Sequence, residues 1–200
     1  TQNPLIKKIA LLSEKSRERK KQSLCVVEGA REIRLALQGN YTLETLLYQP
    51  DIFSERQLTE LLGYTTQKLT PIAISKEVYE KISYRSSTEG VIALVQVKKH
   101  GLGTLVFKNE KPLLLVAEAP EKPGNIGALL RTADAAHIDA VIIANPKTDL
   151  YNPNIIRSSV GCVFTVPIAT GTTAEVIDFL KAKNISSYCA ALTASKPYYE

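Results

Sequence analysis

Three residues in one stretch of the chain, Asn125, Gly127 and Arg131, have the types and the spacing to do chemistry. They lie within residues 118–133, Glu-Ala-Pro-Glu-Lys-Pro-Gly-Asn-Ile-Gly-Ala-Leu-Leu-Arg-Thr-Ala. Asparagine offers both a hydrogen-bond donor and an acceptor, and arginine a permanently charged fork of N–H donors. Gly127 and Arg131 are four residues apart, which places them on one face of a helix. The helix is expected to open on Asn125, after a turn made by Pro120, Pro123 and Gly124. A helix start presents unpaired backbone N–H groups, so strand, turn and helix together suit an anion or a polar ligand. Asn125 fits either a helix cap or a ligand contact. Gly127 fits either close approach of a ligand or strand, or helix packing.

The elements that must position these residues alternate between helix and strand. Apolar spacing predicts a short amphipathic helix over residues 4–12, then a basic turn, a strand at 24–27 and a helix at 28–37. A strand at 43–48 follows, then a helix at 54–62 with Ser54 and Gln57 in capping-box spacing. A weak strand near 68–69, a helix at 75–82 and a long apolar strand at 90–97 complete a first α/β unit. Residues 98–111, with two glycines and four lysines, read as a linker. The second series is expected as strand 113–117, helix 125–136, strand 140–144, helix 153–159 and strand 162–167. A helix capped by Thr172 or Thr173 and a last strand at 185–191 close it. Its near-continuous apolar strands imply a parallel sheet covered on both faces. Ligands of such sheets bind beyond the carboxyl ends of the strands, here the loops at 118–125, 145–152 and 192–197. The domains are therefore read as 1–97, a linker at 98–111, and 112–200.

Composition narrows the class. At 44% hydrophobic and 22% charged residues, the chain has the make-up of a soluble globular protein. It lacks the run of about eighteen apolar residues that a membrane span needs, and no apolar leader opens it, so the cytoplasm is expected. Cys25, Cys162 and Cys189 sit among apolar neighbours without metal-ligand spacing and read as small buried hydrophobes. With only His100 and His137 besides, no metal site and no Ser-His-Asp hydrolase is expected. His137 reads as a helix-terminal residue and His100 as part of the linker. The first hundred residues hold 16 Lys+Arg against 11 Asp+Glu, and the second hundred hold 9 against 9. Residues 7–21 account for that whole excess, with seven basic residues against Glu14 and Glu18. Such a run is either a solvated face or the footprint of a polyanion partner. The chain contains no methionine and ends abruptly on Lys-Pro-Tyr-Tyr-Glu, so a longer parent is expected. Neither the G-x-G-x-x-G dinucleotide pattern nor a Walker A loop is present.

The segment from Asn125 to Ala133 resembles motif 1, N-x-G-x-x-x-R-T-A, of the SpoU/TrmH family of SPOUT-class RNA ribose methyltransferases. Arg157-Ser158-Ser159-Val160-Gly161-Cys162-Val163-Phe164-Thr165-Val166-Pro167 resembles the family's R-x-S-x-G-x-x-F-x-x-P stretch. Val26-Val27-Glu28-Gly29 resembles the opening of its small ribosomal-protein-like substrate-binding domain, and Thr88-Glu89-Gly90-Val91 the exit. The resemblance implies a small α/β substrate-binding domain followed by a SPOUT-type parallel-sheet domain. It also implies methyl transfer from S-adenosylmethionine to a ribose 2′-hydroxyl of ribosomal or transfer RNA, by a homodimer. The family's later G-x-E and S-L-N segments, which wrap the methyl donor and form its knot, have no counterpart up to Glu200. The other reading of the chain is therefore a non-catalytic RNA-binding protein with an incomplete transferase domain.

The resemblance implies a catalytic role for the motif arginine, and the residue types and charges suggest what it and its neighbours would do. Arg131 and Asn125 are the catalytic candidates, with Arg131 gripping a phosphate and stabilising the developing alkoxide. Lys20, Lys21, Arg31, Arg34, Gly127 and Arg157 are the RNA-binding candidates. Arg157 fits an RNA phosphate or a carboxylate across a dimer interface. Leu192, Thr193 and Ala194 are assigned to the cofactor pocket.

Overall fold

The computed structural model describes residues 3–84 and 89–190. The chain opens with α1 (Pro4–Glu14), whose Ile6, Ile9 and Leu12 are buried one turn apart, and with Asn3 as its N-cap. The basic segment that follows is a helix rather than a turn, α2 (Ser16–Gln22), ended by Ser23 in the left-handed region. Then come β1 (Leu24–Glu28), α3 (Ala30–Gln38), β2 (Leu43–Tyr48), α4 (Glu55–Leu62), β3 (Ile72–Ala73), α5 (Lys76–Ile82) and β4 (Val91–Gln96). Ser54 and Gln57 form the expected capping box on α4. The weak strand lies at Ile72–Ala73 rather than near 68–69. These strands make one sheet in the order β1-β4-β2-β3. Its three main strands pair antiparallel, and only β3 runs parallel to its neighbour.

The second half contains β5 (Leu114–Glu118), α6 (Pro123–Ala135), β6 (Ala140–Ala144), α7 (Pro153–Ser158), β7 (Ile168–Gly171) and α8 (Thr173–Ala182). Its sheet is parallel, in the order β5-β6-β7, as the apolar runs predict. One face packs into a core shared with α6 and α7, and the other meets Val176 and Leu180 of α8 together with Leu102 and Leu105. The α/β expectation therefore holds for both halves.

Two strands are not found where expected among the described residues: the third strand of the series is β7 rather than 162–167, and residue 191 of the expected strand at 185–191 lies outside the described residues. Residues 162–167 begin as a single 3₁₀ turn, Cys162–Phe164, because Val160 and Gly161 both take positive φ (58° and 86°) and reverse the chain. The apolar residues of this segment serve the junction between the halves: Val163 and Phe164 share one buried cluster with Ile33, Tyr41 and Ile126. Residues 185–190 also form no strand. Only Ile185 anchors them, against the α8 side of the sheet, and Tyr188 is 96% exposed. Cys189 is exposed as well, so of the three cysteines only Cys25 is fully buried.

The supposed linker is tied down. Gly101 bridges Thr170 of β7, and the Thr170 N–H donates to His100 O at 2.6 Å. His100 is largely enclosed, and its Nδ1 lies 3.1 Å from the Ile168 carbonyl. A carbonyl only accepts, so Nδ1 carries the proton and Nε2 accepts from the Tyr151 hydroxyl at 2.7 Å. Tyr41 then donates to Tyr151 at 3.0 Å, and so does the Lys98 N–H, also at 3.0 Å. Burial holds the His100 imidazole below its ordinary value and pushes the Tyr151 hydroxyl up, so both stay neutral. A second clamp joins the halves nearby. Arg19, in the middle of the basic run, is 3% exposed and bonds Asp149 through Nη2 at 2.7 Å and Nε at 3.1 Å. Its Nη1 donates to the Leu12 carbonyl at 2.6 Å. One of the seven basic residues therefore serves the fold rather than a partner.

Candidate functional site

The helix carrying the motif starts two residues earlier than its polar residues suggest. Pro123 occupies the first turn of α6, where its fixed φ and missing N–H cost nothing, and Lys122 precedes it without a side-chain cap. Asn125 is thus the third helical residue, exposed, and not the cap. Ile126, Leu130 and Ala133 are fully buried, which fixes the roll of the helix. Asn125 and Arg131 are consequently left on its exposed surface.

Gly127 is buried where α6 crosses α7. A Cβ built on it would lie 2.0 Å from Ser158 Oγ and 2.7 Å from Ser158 C, so only glycine allows the crossing. That close approach has a consequence one turn further on. Arg131 Nη1 donates to the Ser158 carbonyl at 2.9 Å, at the C-terminal end of α7. A guanidinium there satisfies a carbonyl the helix cannot pair itself. The remaining N–H groups of Arg131 stay on the surface. Cys162 lies close by, and burial, followed by the Asp134 carboxylate, raises its thiol, which keeps it protonated.

Arg157, exposed on α7, lines a cavity of about 230 Å³ between the halves. Arg31 of α3 lines the same cavity, so the structure brings these two candidates together. Glu28, Glu32 and Glu89 also face it. Arg31 pairs with Glu32 at 2.6 Å, and Glu28 accepts from the Tyr84 N–H at 2.8 Å and from the Tyr79 hydroxyl at 3.3 Å. Arg34 is turned elsewhere: half-buried, it stands 5.8 Å from the ring centre of Tyr64. Lys20 lines a second, larger cleft, and Lys21 is exposed near the end of α2. Leu192, Thr193 and Ala194 lie outside the described residues.

A polar cluster at the carboxyl ends of the parallel strands escaped the sequence reading. Glu118 ends β5, Asn145 follows β6 with φ 47°, and Thr173 opens α8 after β7. Thr173 Oγ1 donates to Glu118 at 2.7 Å, and Asn145 Nδ2 reaches Glu118 at 2.9 Å and Thr173 at 2.6 Å. The Thr173 and Asn145 bonds, with Lys147 nearby, hold the Glu118 carboxyl below the usual carboxylate range. Reading the first polar residue after each apolar run would have found Glu118 and Asn145, because parallel sheets place ligand contacts there.

Two family models cover most of the chain. Residues 3–93 match the MRM3-like substrate binding domain, and residues 112–200 match the SpoU rRNA Methylase family. Among solved structures, an RNA 2′-O ribose methyltransferase is 36% identical with a TM-score of 0.76, over 92% of this chain and 69% of that one. The SpoU methyltransferase AviRb from Streptomyces viridochromogenes, solved in complex with AdoMet, is 27% identical with a TM-score of 0.80 over the same shares. The 23S rRNA (guanosine(2553)-2′-O)-methyltransferase RlmP of Bacillus subtilis is 27% identical over 167 residues. That match covers 82% of this chain and 65% of RlmP, so the chain spans just under two thirds of that relative's length. The fold and the residues at the α6–α7 crossing define a SPOUT-class protein. The chain belongs to the SpoU rRNA methylase family.

Proposed function

We propose that the protein transfers a methyl group from S-adenosylmethionine to a ribose 2′-hydroxyl of RNA, ribosomal or transfer, in the cytoplasm and as a homodimer. The observation that carries this reading is Arg131, exposed on the motif helix and held by the carbonyl of Ser158 from the second matched segment. Names of relatives such as RlmP favour ribosomal RNA among the two.

Bound S-adenosylmethionine supplies a sulfonium carbon that a hydroxyl oxygen can attack. The described residues do not by themselves fit that donor. The larger cleft is lined by Arg19, Lys20, Lys98 and Lys147 against Glu14 and Asp149, so cations outnumber carboxylates and the field is unfavourable for a sulfonium. The other cavity lies between α7 and the antiparallel sheet, away from the strand ends. Glu118, Asn145 and Thr173, at those ends, are already bonded to one another.

What the chain's own residues do is orient the acceptor. Arg131 spends one N–H on Ser158 and presents the rest to a phosphate beside the target ribose. The same charge stabilises the alkoxide as the 2′-hydroxyl loses its proton to that phosphate or to water. Arginine stays protonated at neutral pH, so it acts as an electrostatic clamp rather than a base. Asn125, exposed near the start of the same helix, bonds the ribose. Gly127 contributes by letting α7 come close enough to fix Arg131. Arg31 and Arg157, across one cavity, hold further phosphates.

The test is transfer of tritiated methyl from S-adenosylmethionine to ribosomal and transfer RNA transcripts, with the modified position mapped by resistance to alkaline cleavage. Label at a ribose 2′-oxygen is expected. RNA binding without any transfer would favour the non-catalytic RNA-binding protein instead.

A further inference from the structure

The seam between the two halves holds a second cleft, of about 510 Å³, that the arginine site does not use. Its walls come from separate places in the sequence: Glu14 at the end of α1, α2, the segment after β4, the loop between β6 and α7, and Thr170 of β7. The charged groups lining it are not equivalent. Arg19 is neutralised by Asp149 at 2.7 Å. The Lys98 ammonium donates to the Gly39 carbonyl at 2.6 Å and stands 4.4 Å from the centre of the Tyr41 ring. Lys20 and Lys147 remain, both exposed, with Glu14 on the cleft wall and the Glu118 carboxylate near Lys147. Ser16, Thr148 and Asn152 add neutral polar groups.

The cleft does not stand alone. Glu14 and Asn152 line it, and their chain neighbours Ser13 and Pro153 line the cavity of Arg31 and Arg157. The two hollows therefore neighbour each other along the seam. Arg157 is followed directly by Ser158, whose carbonyl holds Arg131. The lysines of the cleft, then Arg31 and Arg157 of the neighbouring cavity, which Glu28, Glu32 and Glu89 also face, and then the motif arginine can be joined as one track.

We infer that this track binds the sugar-phosphate backbone of a single RNA strand, with Lys20 and Lys147 gripping phosphates remote from the reacting ribose. The inference rests on the RNA reading proposed above and adds a path and two residues, of which Lys147 had no assigned role. A lone small anion would need one hollow, whereas a polyanion accounts for both and for their neighbouring places. The Arg19–Asp149 pair and the His100–Tyr151–Tyr41 network fix the walls in advance, so binding needs little ordering of the protein.

Fluorescence anisotropy of a labelled single-stranded RNA, titrated at several salt concentrations, tests this. Each phosphate contact on single strands contributes roughly 0.7 to the slope of log affinity against log salt. The Lys20→Ala/Lys147→Ala double variant is expected to bind about tenfold more weakly at low salt, with a slope smaller by about 1.4. A Lys76→Ala/Lys81→Ala variant, altered on α5 away from the cleft, should keep both values. RNA bound with the parental affinity and slope by the first variant would overturn the track while leaving RNA binding intact. No RNA bound by the unaltered protein would overturn both. Unchanged thermal midpoints in the exposed-lysine variants certify that folding is not the variable.

Discussion

The two sheets of this protein are built to different ends. In the antiparallel sheet, β4 is buried along nearly its whole length, and β1 is buried except at Glu28. In the parallel sheet, β6 is equally buried, but β5 is open, with Val116 41% exposed and Leu113 just before it 61% exposed. The first sheet is a finished support. The second carries its candidate site residues at strand ends and on the outer face of α6. Between them runs a seam in which charged and polar side chains are paired across the halves, by Arg19–Asp149 and by His100–Tyr151–Tyr41. Rigidity is concentrated at the seam, and chemistry is left to the surface that the seam holds in place.

Breaking the seam should have the largest effect. Arg19→Ala strands the Asp149 carboxylate in a nearly closed site and should cost about 3–5 kcal/mol in chemical denaturation. A value near zero would mean that the halves do not depend on each other. Next comes the α6–α7 crossing. Gly127→Val pushes against both the side chain and the backbone of Ser158 and should cost about 1–3 kcal/mol. It should also impair methyl transfer by displacing the carbonyl that holds Arg131.

A smaller effect is expected from pH. Burial lowers the folded-state pKa of His100 below its ordinary 6.5. The unfolded chain therefore takes up the proton first. The stability from the neutral imidazole is complete above about pH 6.5 and is lost as pH falls through the folded value. Thermal midpoints should drop as pH falls below about 6.5, and His100→Gln should flatten that drop. Smallest of all, Asn125→Ala should change stability by less than about 0.5 kcal/mol, because the residue is exposed and caps nothing. A marked loss of transfer in that stable variant would separate site from scaffold.

Most of the architecture was legible because its signals are local. Apolar runs gave β1, β2, β4, β5 and β6, Ser54 with Gln57 marked one helix start, and Thr172 or Thr173 marked another, where the cap is Thr172. Three of the misreadings trace to the seam. Val163 and Phe164 look like strand residues but are apolar because a second half packs on them. Arg19 looks like part of a solvated basic face, yet its partner Asp149 is 130 residues away. His100 looks like a linker residue until Tyr151 and Ile168 are placed against it. In the site, Asn125, Gly127 and Arg131 could be found by motif. What could not be read was that Gly127 acts through Ser158, or that Arg31 shares a cavity with Arg157 while Arg34 does not.

The central claim is that Arg131 acts at the reacting ribose rather than in the fold. Its most direct test is the rate of methyl transfer to RNA by Arg131→Lys, measured beside the thermal midpoint of the same variant. Lysine keeps the charge but loses the planar fork. The account predicts a fall of at least about a hundredfold, comparable to loss of a transition-state donor, with a midpoint close to the parent's. Unchanged turnover would contradict it and return Arg131 to the role of a helix-end contact to Ser158.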